Sequence, residues 1–134
     1  MSETELDQAV TEHRDDRVIW LGTVTKSGRP TIRPVWFVVD DGQLIAFSAP
    51  DSAKVRQIER NPYVVLTFHT DPAAQRVRVI DGLAAVERDG APASAPGFLE
   101  KYEHLYAGIG YDRASFDAAF SARLVITPTR TWGW

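Results

Sequence analysis

The 134-residue sequence predicts a mainly β, α+β fold: six antiparallel strands curled into a closed or partly closed barrel, with helices at its periphery. Three observations predict it. Segments rich in Val, Ile, Trp, Tyr, Phe and Thr recur at strand length between Gly, Pro and Asp punctuation. The connections between most of them are short, which makes the strands antiparallel. Six such strands are too many for one open face, and Gly82, inside the longest of them, supplies the bend a barrel corner needs. The length fits one domain spanning residues 1–134.

Ser2 and Glu5 have capping-box spacing, and Leu6, Ala9 and Val10 form an apolar face, so a first helix is expected from Glu3 to about Arg14. Arg17 to Lys26 reads as a strand, closed by Ser27-Gly28-Arg29-Pro30. Thr31 to Val39 reads as the second strand, with Pro34 marking an edge, a bulge or a break. Asp40-Asp41-Gly42 is a hairpin signal leading into Gln43 to Ser48. A helix then starts after an N-cap at Ser52 and stops at Asn61-Pro62. Tyr63 to His69 and Arg76 to Arg88 are strands four and five. Ala91 to Gly97 is a linker, Phe98 to Ala107 and Ser115 to Phe120 are helical, and Ala122 to Thr127 is the sixth strand.

Composition narrows the function. The net charge of −3 gives no basic face for nucleic acid. There is no cysteine, hence no disulfide, thiolate nucleophile or thiolate metal site. The polar, acidic first residues do not read as a signal or transit peptide, and no apolar run approaches membrane-spanning length, so a cytoplasmic location is expected. His13, His69 and His104 are too scattered for a metal cluster, and no zinc-protease, nucleophile-elbow or P-loop motif occurs. Gly108-Ile109-Gly110 has no preceding strand, and Arg113 stands where a dinucleotide fingerprint needs its third glycine. An enzyme so equipped borrows its reactivity from a cofactor.

Two stretches carry chemistry. Phe47-Ser48-Ala49-Pro50-Asp51-Ser52-Ala53-Lys54-Val55-Arg56 sets a helix N-terminus, with its unpaired N–H groups, beside two hydroxyls. Lys54 sits in the first turn, where a cation opposes the helix dipole and a phosphate would reverse the sign. Only three lysines stand against twelve arginines, so its position is informative. The alternative is that Lys54, Arg56 and Arg60 form the wet face of an amphipathic helix. In the other stretch, Arg33-Pro34-Val35-Trp36-Phe37, Pro34 frees backbone groups that can bond the edge of a planar ring. Trp36 and Phe37 point to opposite faces, Phe37 toward the core.

The run Trp20-Leu21-Gly22-Thr23-Val24, followed by Gly28-Arg29-Pro30, Pro34-Val35-Trp36-Phe37, Ser48, Lys54, Asn61-Pro62 and Asp81-Gly82-Leu83-Ala84, resembles the pyridoxamine 5′-phosphate oxidase-like superfamily. Within it the sequence is similar to short deazaflavin-dependent members, from about Val18 to Trp134. The resemblance implies a six-stranded antiparallel split β-barrel and a homodimer with two interfacial cofactor sites. The cofactor ring would lie against Arg33, Pro34, Val35 and Trp36. Its phosphate-bearing tail would meet Ser48, Lys54 and Arg56, with Ser52 adding a hydroxyl. The partner subunit would close the site through residues 75–78 or through Trp132 and Trp134. The C-terminal substrate motif of the longer pyridoxamine phosphate oxidases is not found here, which argues against vitamin B6 oxidation itself.

The implied function is a coenzyme F420-dependent oxidoreductase that passes hydride from the reduced deazaflavin to an electron-poor small molecule of the enone or quinone type. Arg33 or water would be the proton source or charge stabiliser. The same barrel holding FMN is the alternative enzyme, and a non-catalytic binder of flavin, deazaflavin or haem is the alternative of another class.

Overall fold

The computed structural model describes residues 3–134, so the Ser2 capping-box reading lies outside the described residues. Helix α1 (Glu3–Glu12) leads into β1 (Ile19–Val24) and β2 (Pro30–Val35). A short β3 (Val38–Asp40) and β4 (Gln43–Ser48) form a hairpin, and α2 (Ala53–Arg60) follows. Then come β5 (Tyr63–Thr67), β6 (Arg78–Glu87), α3 (Phe98–Tyr106), α4 (Arg113–Ala119) and β7 (Ala122–Gly133). The strands form one antiparallel sheet in the order β2-β1-β5-β6-β7-β4-β3.

That order closes the barrel. The two edge strands, β2 and β3, are neighbours in sequence, joined by Trp36 and Phe37 alone. Three Cα steps reach at most about 11 Å, so the sheet must curl until its edges nearly meet. The expected single strand from Thr31 to Val39 is therefore two strands, and the barrel has seven strands rather than six. The break leaves the Phe37 peptide outside any ladder, and α3 supplies its partners. The Phe37 N–H donates to the Tyr102 hydroxyl at 2.9 Å, and the Phe37 carbonyl accepts from the Lys101 ammonium at 2.8 Å. Pro34 falls on the edge strand, paired on its β1 side with Trp20, where its missing N–H costs no ladder bond.

The remaining punctuation behaves as its chemistry requires. Asp41 and Gly42 both take positive φ, the conformation of a two-residue type I′ hairpin turn. Ser52 caps α2 and Asn61 ends it. At Asp81/Gly82 the β6–β7 register shifts, so the glycine does mark a bulge. The last strand runs well past the expected Thr127. Pro128 lies beyond the last β4 partner, since Leu44 pairs with Ile126, and faces Gly82 at the bulge, where no donor is needed.

Two apolar layers result. Inside the barrel, Ile19, Leu21, Phe37, Leu44, Leu66, Ile80 and Leu124 pack with Val55 and Ile58 of α2. Outside β3 and β4, a helical layer covers Val38 and Ile45 with Phe98, Tyr102, Tyr106 and Phe116. Among the described residues nothing comparable covers the outer face of β2, β1, β5 and β6. Ile32 (57% exposed), Tyr63 (70%), Val65 and Leu83 stand open on it, beside a trough of about 840 Å³. Gly22 sits in the middle of that face, where a Cβ would lie 2.7 Å from the Val65 side chain. Among the described residues no helix is long and apolar enough to cross a membrane.

Candidate functional site

Two directly opposed residues of an antiparallel pair share a face. Arg33 on β2 opposes Leu21, a core residue, so its side chain lies on the inner side of the strand. One Nη donates to Thr31 Oγ1 at 3.2 Å, while Nε is buried with no hydrogen-bond partner among the described residues. Lys54, in the first turn of α2, stands close enough for the Arg33 charge to act on it. Burial first, and then that guanidinium, pull the Lys54 ammonium below the usual lysine value. Among the described residues neither cation has an ion pair, and the first turn of α2 holds no acidic residue. Two half-buried cations with no ion-paired carboxylate make this a place where an anion would be favourable.

The hydroxyls are close by. Ser48 is buried at the end of β4, and its Oγ is 2.8 Å from Ser52 Oγ, which caps α2 by accepting from the Val55 N–H. Arg56 bonds the Asp51 carbonyl and does not line the adjoining cavity.

That cavity, about 210 Å³, brings Phe47, Pro34, Val35, Trp36 and Lys54 together with four residues the sequence reading did not assign to a site: Phe98, Ile109, Phe116 and Phe120. Trp36 is half-buried and stacked on Tyr102, with ring centres 4.6 Å apart and planes 4° from parallel. Phe37 points the other way and is buried in the core. Tyr102 is locked in turn. Its hydroxyl accepts from the Phe37 N–H and lies 2.7 Å from the Arg17 carbonyl and 2.9 Å from the Phe37 carbonyl, so its one proton serves either. Burial pushes this phenol up to about 12 and keeps it protonated. Lys101 donates to the Arg14 and Phe37 carbonyls and sits 3.9 Å from the centre of the Phe37 ring. Burial pulls its ammonium down to about 8.

Trp134 folds back onto the loop before β6. Its backbone pairs with Val77, and its indole N–H donates to the Ala74 carbonyl at 2.9 Å. Trp132 is half-exposed on the uncovered sheet face.

Residues 6–134 match the family described as Pyridoxamine 5′-phosphate oxidase. The pyridoxine/pyridoxamine 5′-phosphate oxidase of Legionella pneumophila is 35% identical over 74 residues, 54% of this chain and 34% of that protein. The match therefore spans about a third of the curated relative's length. Among solved structures, an F420 reductase superposes with a TM-score of 0.72 at 22% identity, covering 92% of this chain and 94% of the other. A haem storage protein from Vibrio cholerae gives 0.63 at 19% identity, covering 96% and 92%. These structural likenesses are of fold. The matched family is one of oxidoreductases, and it binds flavins.

Proposed function

This chain belongs to the pyridoxamine 5′-phosphate oxidase family, and we propose that within it the protein is a cytoplasmic, homodimeric oxidoreductase that uses coenzyme F420 to reduce an electron-poor small molecule of the enone or quinone type. The observation that carries this reading is the unpaired couple of Arg33 and Lys54 at the mouth of α2, next to an aromatic cavity. A buried guanidinium Nε without an acceptor and a partly desolvated ammonium fit a phosphate group. Ser48 and Ser52 add donors, and the first-turn N–H groups add the positive end of the helix dipole.

When bound, the deazaflavin supplies the hydride. The protein's own share is orientation and charge. Arg33 and Lys54 hold the phosphate, and the free edge of β2 at Pro34 to Trp36 offers backbone groups to the rim of the ring. The aromatic wall excludes bulk water, and Arg33 or water would be the proton source or charge stabiliser for the substrate. Titrating the free protein with F420 and FMN side by side tests the cofactor assignment. F420 is expected to bind more tightly, and its affinity to fall as salt rises, because the attraction is largely between charges. Equal or tighter FMN binding, with turnover of FMN-linked substrates, would replace F420 by FMN.

The uncovered sheet face supports the dimer. Across five strands the row Ile32, Gly22, Val65, Asp81 and Arg130 is in register, apolar at one end and closed by the Asp81–Arg130 ion pair (3.0 Å) at the other. An apolar patch with a polar rim is the composition of a protein interface. Light scattering should report about twice the chain mass for the native protein and about the chain mass for Val65→Arg. A native protein that is monomeric at micromolar concentration would remove the dimer and the shared site together.

A further inference from the structure

Helix α2 buries three side chains, and one of them is polar. Val55 and Ile58 join the barrel core, while Gln57 Oε1 accepts a 2.6 Å hydrogen bond from the Thr23 hydroxyl on β1. Both partners are buried. Thr23 alternates along β1 with the core residues Ile19 and Leu21, so its side chain faces into the barrel. Such a bond gives the fold little more than two apolar side chains of the same shape would. What it adds is direction, because a hydrogen bond fixes distance and angle where an apolar contact can slide.

The pair lies between the two cations of the anion site. Gln57 is one helical turn from Lys54, on the same side of α2. Thr23 is directly opposed to Thr31 on β2, and Thr31 Oγ1 accepts from the Arg33 guanidinium at 3.2 Å. The helix that carries Lys54 and the strand that carries Arg33 are thus both fixed beside this one point of β1. Held by Val55 and Ile58 alone, α2 could roll on an apolar surface, and a displacement of about 1 Å is enough to spoil a charge-assisted contact. We propose that Thr23 and Gln57 are positioning residues of the anion site: their hydrogen bond sets the place of α2 on the barrel mouth, and with it the spacing of Lys54 from Arg33. They act through the two cations. The inference rests on the phosphate site proposed above and names what holds its two halves together.

Replacing both partners by apolar residues of similar shape, Thr23→Val with Gln57→Met, removes the bond and leaves neither side chain with an orphaned polar group. The melting temperature is expected to stay within about 5 °C of the native value. Calorimetric titrations with inorganic pyrophosphate and, separately, with F420 are expected to show affinities about tenfold weaker. Thr23→Ser keeps the hydroxyl and should hold both affinities within about twofold of native. Native affinities in the double variant would overturn the proposal, since the bond would then serve packing alone. A larger fall in melting temperature would overturn it too, by making the pair a stability element. So would a loss of binding in Thr23→Ser as large as in the double variant. If the native protein binds pyrophosphate but not F420, the cofactor reading falls, while the pyrophosphate titration still decides the positioning. If it binds neither, the anion site and this proposal fall together.

Discussion

Tyr102→Phe is expected to destabilise the protein by about 1–3 kcal/mol, a large effect for the loss of one oxygen atom. The hydroxyl is the acceptor for the Phe37 N–H and a donor to the Arg17 or Phe37 carbonyl. Tyr102 is fully buried, so water will not take the place of its hydroxyl. A buried polar group left without a partner costs about 1–3 kcal/mol, and one is left: the Phe37 N–H, since the Arg17 carbonyl belongs to an exposed residue that water can reach. The Phe37 carbonyl keeps its bond to Lys101. For a chain of this length the loss corresponds to a fall of roughly 3–12 °C in melting temperature. Urea unfolding of the variant gives the free energy directly. A loss well below about 1 kcal/mol would show that the crossover between the barrel's edges is held by packing and not by these bonds. The consequence reaches the site, because Trp36 stacks on Tyr102 and precedes the released peptide.

The same crossover shows where sequence reading stops. Signals that act within a few residues were legible. Asp41-Gly42 made its hairpin turn, Ser52 and Asn61 bounded α2, Gly82 marked a bulge, and β4 ran from Gln43 to Ser48 as expected. The break after Val35 was not legible beyond the hint from Pro34, because what satisfies the freed Phe37 peptide lies about 65 residues away on α3. The extension of β7 past Pro128 depends likewise on pairing with β6. In the site, Pro34, Val35, Trp36 and Lys54 were brought to one cavity, and Arg33 stands beside them. The far wall escaped notice. Phe98, Phe116 and Phe120 sit on or beside short helices, where aromatic residues read as ordinary core until the packing sets them around the cavity. Lys101 was within reach: it is one of three lysines, in a helix otherwise packed on the barrel, and its ammonium bonds two carbonyls.

Lys54→Ala separates a ligand role from a structural one, because the two predict opposite signs. In the free protein the ammonium is burdened by burial and by Arg33, so its pKa lies below that of the unfolded chain. The unfolded state then holds the proton more readily, and this group's contribution to stability rises with pH from the lowered native value up to the ordinary lysine value near 10.4. At neutral pH the charged side chain is therefore a cost to the fold, added to its unfavourable place in the first turn of α2. Removing it should leave the melting temperature unchanged or slightly raised. The stability gain of the native protein between neutral and strongly alkaline pH should shrink in the variant. Cofactor binding should move the other way. One charge-assisted contact to phosphate is worth about 1.5–3 kcal/mol, so affinity is expected to fall about 10- to 150-fold. A structural ion pair would instead lower the melting temperature and spare binding, and a lysine merely exposed to solvent would change neither. A melting curve and an F420 titration on the same preparation decide among the three, and undiminished affinity would remove Lys54 from the site.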